Sequence, residues 1–464
     1  MRRLVVVGGG ISGLAAAWAA SQGADSVEGG LEVLVLERAD AVGGKATSVM
    51  RDGWLVESGP SGFLSGRPGL ERLIAAVGLE GDRMPAGATA ARRFLYRAGR
   101  MRRIAPNPIG LLREGILGAR GAVRLLAEPF VPARRDGVDE SVWAFAARRL
   151  GVEVADRMIL PMALGIFAGD ARRLSLPAAF PRMAALELEH GSLTRALVAR
   201  RGQTSSGALT SFREGMQQLP LALAKRGGFT VQCRSEVRAL QRVAGGWRVA
   251  VAGAPEAIPA DAVILAGEPW AMASLVRPHA EHLAAELDGI ACPPVAVVAL
   301  GFGPTVSSRI PNGFGVLIAR GEGFRMLGNL WETRLYEGRG PQGHVLVRAM
   351  YGGAVDPEAG SLPEPALVAL ARDEVSRLYG LADVPEFEAV RIVPRAIPQY
   401  EIGHSARVAR IEAAVAGLPG LCITGNGLRG VAFADAASDG VGVGDAAVRR
   451  LSARPASDMA AVAP

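Results

Sequence analysis

The chain has 464 residues, of which 49% are hydrophobic, 5% aromatic and 21% charged, so a largely disordered chain is excluded and two or three domains are expected. The net charge of +7 comes almost wholly from arginine, since Lys45 and Lys225 are the only lysines. Three widely spaced cysteines and five histidines without suitable acidic or thiol neighbours argue against a disulfide framework and against a metal site.

The first forty residues predict a strand, a helix and a second strand. Residues 4–7 form a short apolar run typical of a buried parallel strand, residues 12–21 form an alanine-rich helix, and residues 31–36 form another apolar run. Four glycines between residues 8 and 13 would break an apolar helix, which disfavours a secretory signal peptide here. No later apolar run is long enough for a membrane-spanning helix.

Further elements follow in chain order. Apolar residues at helical spacing predict a helix that starts at Pro68 and ends near Gly78, and residues 93–104 predict a hairpin that turns at Ala98 and Gly99. A mostly helical stretch runs from about Pro108 to His190. Strand patterns return at residues 229–233, 247–251, 262–266 and 294–350, before a helix at 364–379, a strand at 421–424, a closing helix and a frayed tail after Arg454.

The glycine-rich segment after the first strand carries the clearest chemistry. Gly8, Gly10 and Gly13 form a GxGxxG pattern between a predicted strand and a predicted helix, which is typical of a dinucleotide-binding turn. The helix start then offers free N–H groups to a pyrophosphate, and Glu37 at the end of the second strand can accept hydrogen bonds from a ribose. A glycine turn that binds nothing is the alternative.

A second glycine turn, residues 42–45, follows shortly after Glu37. It can bring backbone close to a cofactor, or it can be an ordinary surface turn.

Motifs along nearly the whole chain resemble those of one flavoenzyme family. LVVVGGGISGLAAAW and LVLERADAVGGK resemble the FAD-binding signature of the amine oxidase and protoporphyrinogen oxidase superfamily. The resemblance narrows to protoporphyrinogen and coproporphyrinogen oxidases with ESGPSGFL, RRFLY, GIFAGDARRLSL, SFREGMQQLP, IPQYEIGH and GNGLRGV.

The resemblance implies an α/β fold in which a Rossmann-type FAD-binding domain joins a mixed-sheet substrate domain and a helical insert. It implies noncovalent FAD and oxidation of protoporphyrinogen IX to the porphyrin in haem biosynthesis, with O2 as acceptor and H2O2 as product. Coproporphyrinogen III is the alternative substrate. The implied FAD-binding residues are Gly8, Gly9, Gly10, Ile11, Ser12, Gly13, Glu37, Arg38, Gly44, Lys45, Gly59, Pro60, Ser61, Gly62, Val237, Asn426, Val431, Ala432 and Phe433.

The same resemblance implies a substrate pocket without an acid or base side chain, since the flavin takes the hydride. Arg93 matches the arginine that binds a propionate, although an exposed charge among many is the alternative. The positions that would form the walls of the pocket are equally acceptable as core residues: Gly165, Phe167, Ala168, Gly169, Phe314, Leu317, Met326 and Met350.

The domain organisation is expected to be discontinuous. Residues 1–90, 205–290 and 405–464 are expected to form the FAD-binding domain, residues 291–404 the substrate-binding domain, and residues 91–204 the helical insert. Eleven arginines lie between Arg92 and Arg135 against only Glu114 and Glu128, so the insert either contacts an anionic membrane surface or presents a solvated face. No reading module for nucleic acid accompanies this charge. We expect a cytoplasmic protein with peripheral contact to the inner face of the cell membrane, and a homodimer is an open alternative to a monomer.

Some residues depart from the family pattern, and other functions compete. Ser61 stands where asparagine is frequent, Ala434 replaces an asparagine, and Glu214 replaces a glycine that can take a positive φ. An amine or carotenoid oxidase is one rival. A flavin- or porphyrin-binding protein without turnover is the rival from a different class.

Overall fold

A computed structural model describes residues 1–199 and 207–453. The tail after Arg454 and the predicted domain boundary between residues 204 and 205 lie outside the described residues. The predicted α/β fold is confirmed, because parallel and mixed sheets combine with many helices.

A five-stranded parallel sheet forms the first layer. Its central strand is Arg2–Val7, whose Leu4, Val5 and Val6 are fully buried because helices cover both faces. The predicted first two strands are thereby confirmed as neighbours. In spatial order the strands are Thr230–Gln232, Leu31–Leu36, Arg2–Val7, Ala262–Leu265 and Leu421–Ile423.

The first and last long helices pack together on one face of this sheet. A Cβ on Gly440 would lie 2.2 Å from the Ser12 carbonyl oxygen, and a Cβ on Gly444 equally close to that of Ala16. Only glycine permits such a close approach of two helix backbones. These helices are Ile11–Gln22 and Phe433–Ser452, and the helices Pro269–Val276, Glu281–Asp288 and His404–Ala416 complete the covering of the sheet.

A seven-stranded mixed sheet forms the second layer. The predicted hairpin at its edge is confirmed, with φ of 51° at Ala98 and 69° at Gly99, as a two-residue hairpin turn requires. The helix Glu364–Tyr379 packs on one face through Leu367, Ala371 and Val375. In spatial order the strands are Phe387–Val393, Val295–Phe302, Val345–Gly352, Gly328–Trp331, Gly315–Ile318, Arg93–Arg97 and Arg100–Arg103.

The stretch predicted to be mostly helical is confirmed as such. Its helices are Pro108–Arg113, Ala119–Leu126, Val142–Leu150, Val152–Val154, Leu160–Phe167, Leu176–Ala179 and Pro181–His190, with a π-helical turn at Ala155–Ile159. One more helix, Leu193–Ala199, follows this stretch. Within residues 1–199 and 207–453, no helix combines the length and apolar character that crossing a bilayer requires.

Smaller elements connect the two layers. Three small antiparallel sheets comprise Ser48–Arg51 with Trp54–Glu57, Phe63–Leu64 with Leu209–Phe212 and Arg83–Pro85, and Val237–Val243 with Gly246–Val251 and Ile258–Ala260. The remaining α-helices are Pro68–Ala76, Gln218–Arg226, Pro304–Ser307 and Glu332–Leu335.

One expected departure causes no distortion. Glu214 is not among the non-glycine residues with positive φ, because the left-handed position of this turn is Gly215, at 93°. The positive φ that a glycine at residue 214 would allow is therefore found one residue later, at Gly215.

Candidate active site

A cavity of about 1000 Å³ lies between the parallel sheet and the seven-stranded sheet. It starts at the carboxyl ends of the strands Arg2–Val7 and Leu31–Leu36, where α/β proteins bind ligands, and extends to the seven-stranded sheet at Val297 and Met350.

The GxGxxG turn forms one end of this cavity. Gly8 has a φ of 113° and lies against the Ala266 carbonyl, while a Cβ on Gly13 would lie 2.0 Å from the Gly8 carbonyl oxygen. A Cβ on Gly10 would meet no protein atom within 4 Å, because it would point into the cavity. Gly10 caps the helix Ile11–Gln22 without any side-chain hydrogen bond, so the helix start is open to an anion.

Glu37 connects this turn to the end of the second strand. Its carboxylate accepts hydrogen bonds from the Gly9 N–H at 2.6 Å and from the Ala39 N–H at 2.8 Å, and it lines the cavity. The side chain is thereby held at the edge of the sheet where a ribose of a bound dinucleotide is expected.

The second glycine turn also borders the cavity. Gly43 donates its N–H to the Gly9 carbonyl at 2.9 Å, which places Gly44 and Lys45 beside the first turn. Lys45 Nζ lies 2.7 Å from a Glu268 carboxylate oxygen and also donates to the Ala396 carbonyl. Lys45 therefore joins the two layers at the cavity wall.

The loop from Gly59 to Gly62 is held by a buried ion pair. Arg348, 2% exposed, donates to the Gly59 carbonyl at 2.9 Å and to a carboxylate oxygen of Glu332 at 2.7 Å. Ser61 Oγ donates to the same carboxylate oxygen. Ser61, the position where asparagine was expected, is thus part of this network and lines the cavity.

A further buried carboxyl group lies beneath this loop. Burial raises the pKa of Glu57 to about 7, although Ser48, Met216 and the Arg339 guanidinium, 3.6 Å away, all favour its charged form.

The segment that starts the last helix closes the cavity from the other side. Tyr400 of the IPQY motif donates its hydroxyl to the Asn426 carbonyl, and its ring stacks on His404 at 4.1 Å. The IPQY and GNGLRG segments are therefore in direct contact. Asn426, Val431, Ala432, Phe433 and Ala434 all line the cavity.

Nearly all residues predicted to bind the cofactor surround this one cavity. The exceptions are Gly9, which contacts Glu37 through its backbone, and Gly13, whose missing side chain permits the close packing of the turn. The lining residues are Gly8, Gly10, Ile11, Ser12, Glu37, Arg38, Gly44, Lys45, Gly59, Pro60, Ser61, Gly62, Val237, Asn426, Val431, Ala432 and Phe433.

The residues predicted to bind substrate are more dispersed. Gly165 and Met350 line the cavity, and Leu317 packs directly against Gly165. Arg93 is exposed beside the ring of Phe314, with its guanidinium 5.1 Å from the ring centre.

The other four pocket positions lie in packed structure. Phe167 and Ala168 are buried in the core, and Gly169 lies against Gln399. Met326 is fully buried among residues that pack on the helix Glu364–Tyr379. Their assignment to the pocket stays a prediction.

Strand register shows which side chains share the cavity face of the seven-stranded sheet. Arg391, Val297, Met350, Gly328 and Leu317 are consecutive partners across five strands. Residues paired in this way point to the same face. The adjacent row on that face contains Ala389, Ala299, Arg348, Leu330, Gly315 and Arg93.

Sequence reasoning missed several lining residues on this face, among them Arg391, Arg348, Val297 and Leu330. Alternation between residues 387 and 393 could have identified Arg391 as sharing a face with Val393. No local signal identifies the pairing of Arg348 with Glu332.

The site fits a bound FAD on structural grounds. The open position at Gly10, the uncapped helix start and the anchored Glu37 form a cradle for a dinucleotide, and a Cβ at Gly10 would fill that cradle.

Comparison with known proteins identifies the cofactor. Residues 11–446 match the family model described as flavin containing amine oxidoreductase.

The chain belongs to this family. It is similar to the chloroplastic protoporphyrinogen oxidase of Oryza sativa subsp. japonica, with 32% identity over 92% of this chain and 85% of the relative. It is also similar to the coproporphyrinogen III oxidase of Bacillus subtilis (strain 168), with 28% identity over 95% and 96% of the two chains. A crystal structure from Exiguobacterium sp. 255-15 has the same fold, with a TM-score of 0.85 and 23% identity over 97% and 99% of the chains.

The protein is therefore an oxidoreductase that uses FAD. Within the flavin-containing amine oxidoreductases it is a member of the FAD-dependent porphyrinogen oxidases.

Proposed function

We propose that the protein oxidises a porphyrinogen to the porphyrin, with O2 as electron acceptor and H2O2 as product. One observation carries this proposal. A single cavity joins the dinucleotide cradle at Gly10 to a sheet face that contains the apolar Val297, Leu330 and Met350 and is bordered by Arg391. Protoporphyrinogen IX and coproporphyrinogen III are the candidate substrates.

The charges in the cavity support hydride transfer without an acid or base side chain. When bound, FAD supplies the hydride acceptor. Within the described residues, each of the four acidic side chains of the lining already has a partner: Glu37 accepts backbone N–H groups, Glu236 pairs with Arg238, Glu268 with Lys45 and Asp435 with Arg67. These residues therefore orient the ligands, and the apolar sheet face excludes water from the reacting atoms.

The aromatic content of the cavity disfavours the amine oxidase alternative. Among the described lining residues, the aromatic side chains are Phe63 and Phe433, whose ring centres are 6.1 Å apart. Neither a tyrosine nor a tryptophan lines the described cavity, so no pair of such rings is available to enclose a small amine.

Anaerobic mixing tests the proposal. The protein loaded with FAD is mixed with protoporphyrinogen IX, coproporphyrinogen III or a set of primary amines, and the flavin absorbance is followed. We expect bleaching by at least one porphyrinogen and H2O2 release on aeration. Bleaching by amines alone would favour the amine oxidase, and no bleaching at all would favour a binding protein without turnover.

We propose further that the discontinuous segments 1–90, 205–290 and 405–464 hold FAD and that residues 291–404 hold the substrate. For the insert, residues 91–204, we propose peripheral contact with the cytoplasmic face of the membrane. Val123, Leu126 and Phe130 are 66%, 58% and 83% exposed and lie near several arginines.

Sedimentation with anionic phosphatidylglycerol vesicles tests the membrane contact. Phe130→Asp should reduce the bound fraction, whereas Val384→Asp, at a position 71% exposed outside the insert, should not. Equal binding of both variants and the unaltered protein would contradict the proposed surface. A homodimer stays a prediction that light scattering can test.

A further inference from the structure

By strand register, six arginines of the described strands share the cavity face of the seven-stranded sheet, and their charges are not equivalent. Arg97, Arg100 and Arg102 lie on the edge hairpin and do not line the cavity. Arg348, in the middle of the sheet, is buried and neutralised by Glu332 at 2.7 Å. Arg391 and Arg93 are exposed, and no ion pair with either is found in the described part of the chain. Arg391 lines the cavity, whereas Arg93 lies beyond its lining residues, and both belong to strands far from the centre of the sheet.

The sheet register gives the separation of the two free arginines. Arg391 lies on the edge strand Phe387–Val393, and Arg93 lies five strands away on Arg93–Arg97. Five steps between neighbouring strands correspond to ~24 Å between the backbones. Both side chains are long and share one face, so the gap between the guanidinium groups can be much shorter than this.

Most side chains between the two arginines are apolar, but the ion-paired Arg348 lies in the row of Arg93 and holds the Gly59 carbonyl against this face. Beside Arg391 lie Val297 and Met350, and beside Arg93 lies Gly315, which has no side chain, followed by Leu330. An apolar macrocycle can therefore rest on this face while its carboxylates reach outward on opposite sides. An arginine offers a carboxylate two parallel hydrogen bonds, which a hydrated surface lysine does not.

We infer that Arg391 is a second carboxylate anchor, opposite Arg93, and that it selects coproporphyrinogen III over protoporphyrinogen IX. The inference rests on the proposed porphyrinogen oxidation. Coproporphyrinogen III has a propionate on every pyrrole ring, so opposite edges of the macrocycle present carboxylates to both arginines. Protoporphyrinogen IX has propionates on adjacent rings only and presents apolar vinyl groups on the opposite edge, so Arg93 is satisfied and Arg391 is not.

Binding measurements test the anchor separately from turnover. The FAD-loaded protein is titrated with coproporphyrin III and with protoporphyrin IX, and the porphyrin fluorescence gives each Kd. Arg391→Met should weaken coproporphyrin III binding roughly tenfold or more, because one charged hydrogen-bonded pair is lost, and should leave protoporphyrin IX binding nearly unchanged. Arg93→Met should weaken the binding of both.

Two variants serve as controls. Arg242→Met removes an exposed arginine from a strand of another sheet and should change neither Kd. Arg391→Lys keeps the charge but loses the planar fork, and should recover only part of the coproporphyrin III affinity.

Kinetic assays complete the test. The unaltered protein should show a higher kcat/KM for coproporphyrinogen III than for protoporphyrinogen IX, and Arg391→Met should remove that preference through KM. Equal effects of Arg391→Met on both porphyrins, or no effect on either, would overturn the inference while leaving porphyrinogen oxidation intact. If neither porphyrinogen bleaches the flavin of the unaltered protein, the proposed function itself fails.

Discussion

At the scale of single residues, Gly10 differs from the other glycines of its motif in where a side chain would point. Gly8 and Gly13 are required by the fold, since a Cβ on either would overlap a backbone carbonyl. Gly10 is different, because its missing Cβ leaves space only on the cavity side. The same motif therefore contains residues that shape the turn and one residue that leaves space for a ligand.

Gly10→Ala should lose most bound FAD while the apoprotein stays folded, because the added methyl group enters the space for the pyrophosphate. Flavin absorbance after purification and circular dichroism of the apoprotein measure the two effects. Gly442→Ala is the matched control: it lies in the helix Phe433–Ser452, meets no atom within 4 Å and should gain up to ~1 kcal/mol of stability. Full flavin content in Gly10→Ala would contradict the assigned role.

Glu57 gives a second prediction at this scale, on pH dependence. Burial raises its pKa to about 7 from the ordinary 4.5, so the folded state holds this proton over a pH range in which the unfolded state has released it. The contribution of Glu57 to stability is complete below pH 4.5 and is lost as the pH rises through about 7. The loss is of the order of 3 kcal/mol.

Urea unfolding between pH 4.5 and pH 8 measures this effect. Glu57→Gln keeps the side-chain shape and should remove this part of the decrease in unfolding free energy. Ser48→Ala, which removes a donor to the same carboxylate, should raise the pKa further. An identical pH profile for Glu57→Gln and the unaltered protein would contradict the assignment.

At the scale of elements, a buried ion pair connects the cavity loop Gly59–Gly62 to the seven-stranded sheet. Arg348 on the strand Val345–Gly352 holds the Gly59 carbonyl and Ser61, and Glu332 neutralises its charge. Loss of one partner leaves the other charge buried without compensation.

Arg348→Met should therefore destabilise the protein by about 3 to 5 kcal/mol and weaken FAD binding through the displaced loop. The double variant Arg348→Met with Glu332→Gln should recover much of the lost stability, because no unpaired charge remains. Urea unfolding of the three proteins tests this. If the double variant is no more stable than the single one, the ion pair is not the source of the loss.

The first strand–turn–helix unit and the Arg348 ion pair show what sequence reasoning can and cannot predict. The strand, glycine turn and helix at residues 2–22 were predictable because adjacent residues determine them, and their residues meet at the cavity. Arg348 was not predictable, since its partners Gly59, Ser61 and Glu332 are distant or on other elements. The face that Arg391 shares with Val297 follows from strand register, which depends on contacts far apart in sequence.

At the scale of the whole molecule, the two ends of the chain pack together in the parallel-sheet layer that borders the cavity. The helix Phe433–Ser452 contributes cavity residues at its start and packs along the helix Ile11–Gln22 for the rest of its length. The cradle at the beginning of the sequence is therefore incomplete until the last helix is in place. A change in the packing of these two helices should therefore change the affinity for the cofactor.

Gly444 tests that coupling, because it lies well away from the cavity in the middle of the helix contact. A methyl group at Gly444 would lie 2.2 Å from the Ala16 carbonyl oxygen, so Gly444→Ala should separate the two helices and cost roughly 1 to 3 kcal/mol. The thermal unfolding temperature should fall and FAD should dissociate faster, although no residue of the cavity is altered. Gly442→Ala, on the exposed side of the same helix, should show neither change. If Gly444→Ala lowers stability without any effect on FAD release, the last helix supports the fold but does not hold the cradle closed.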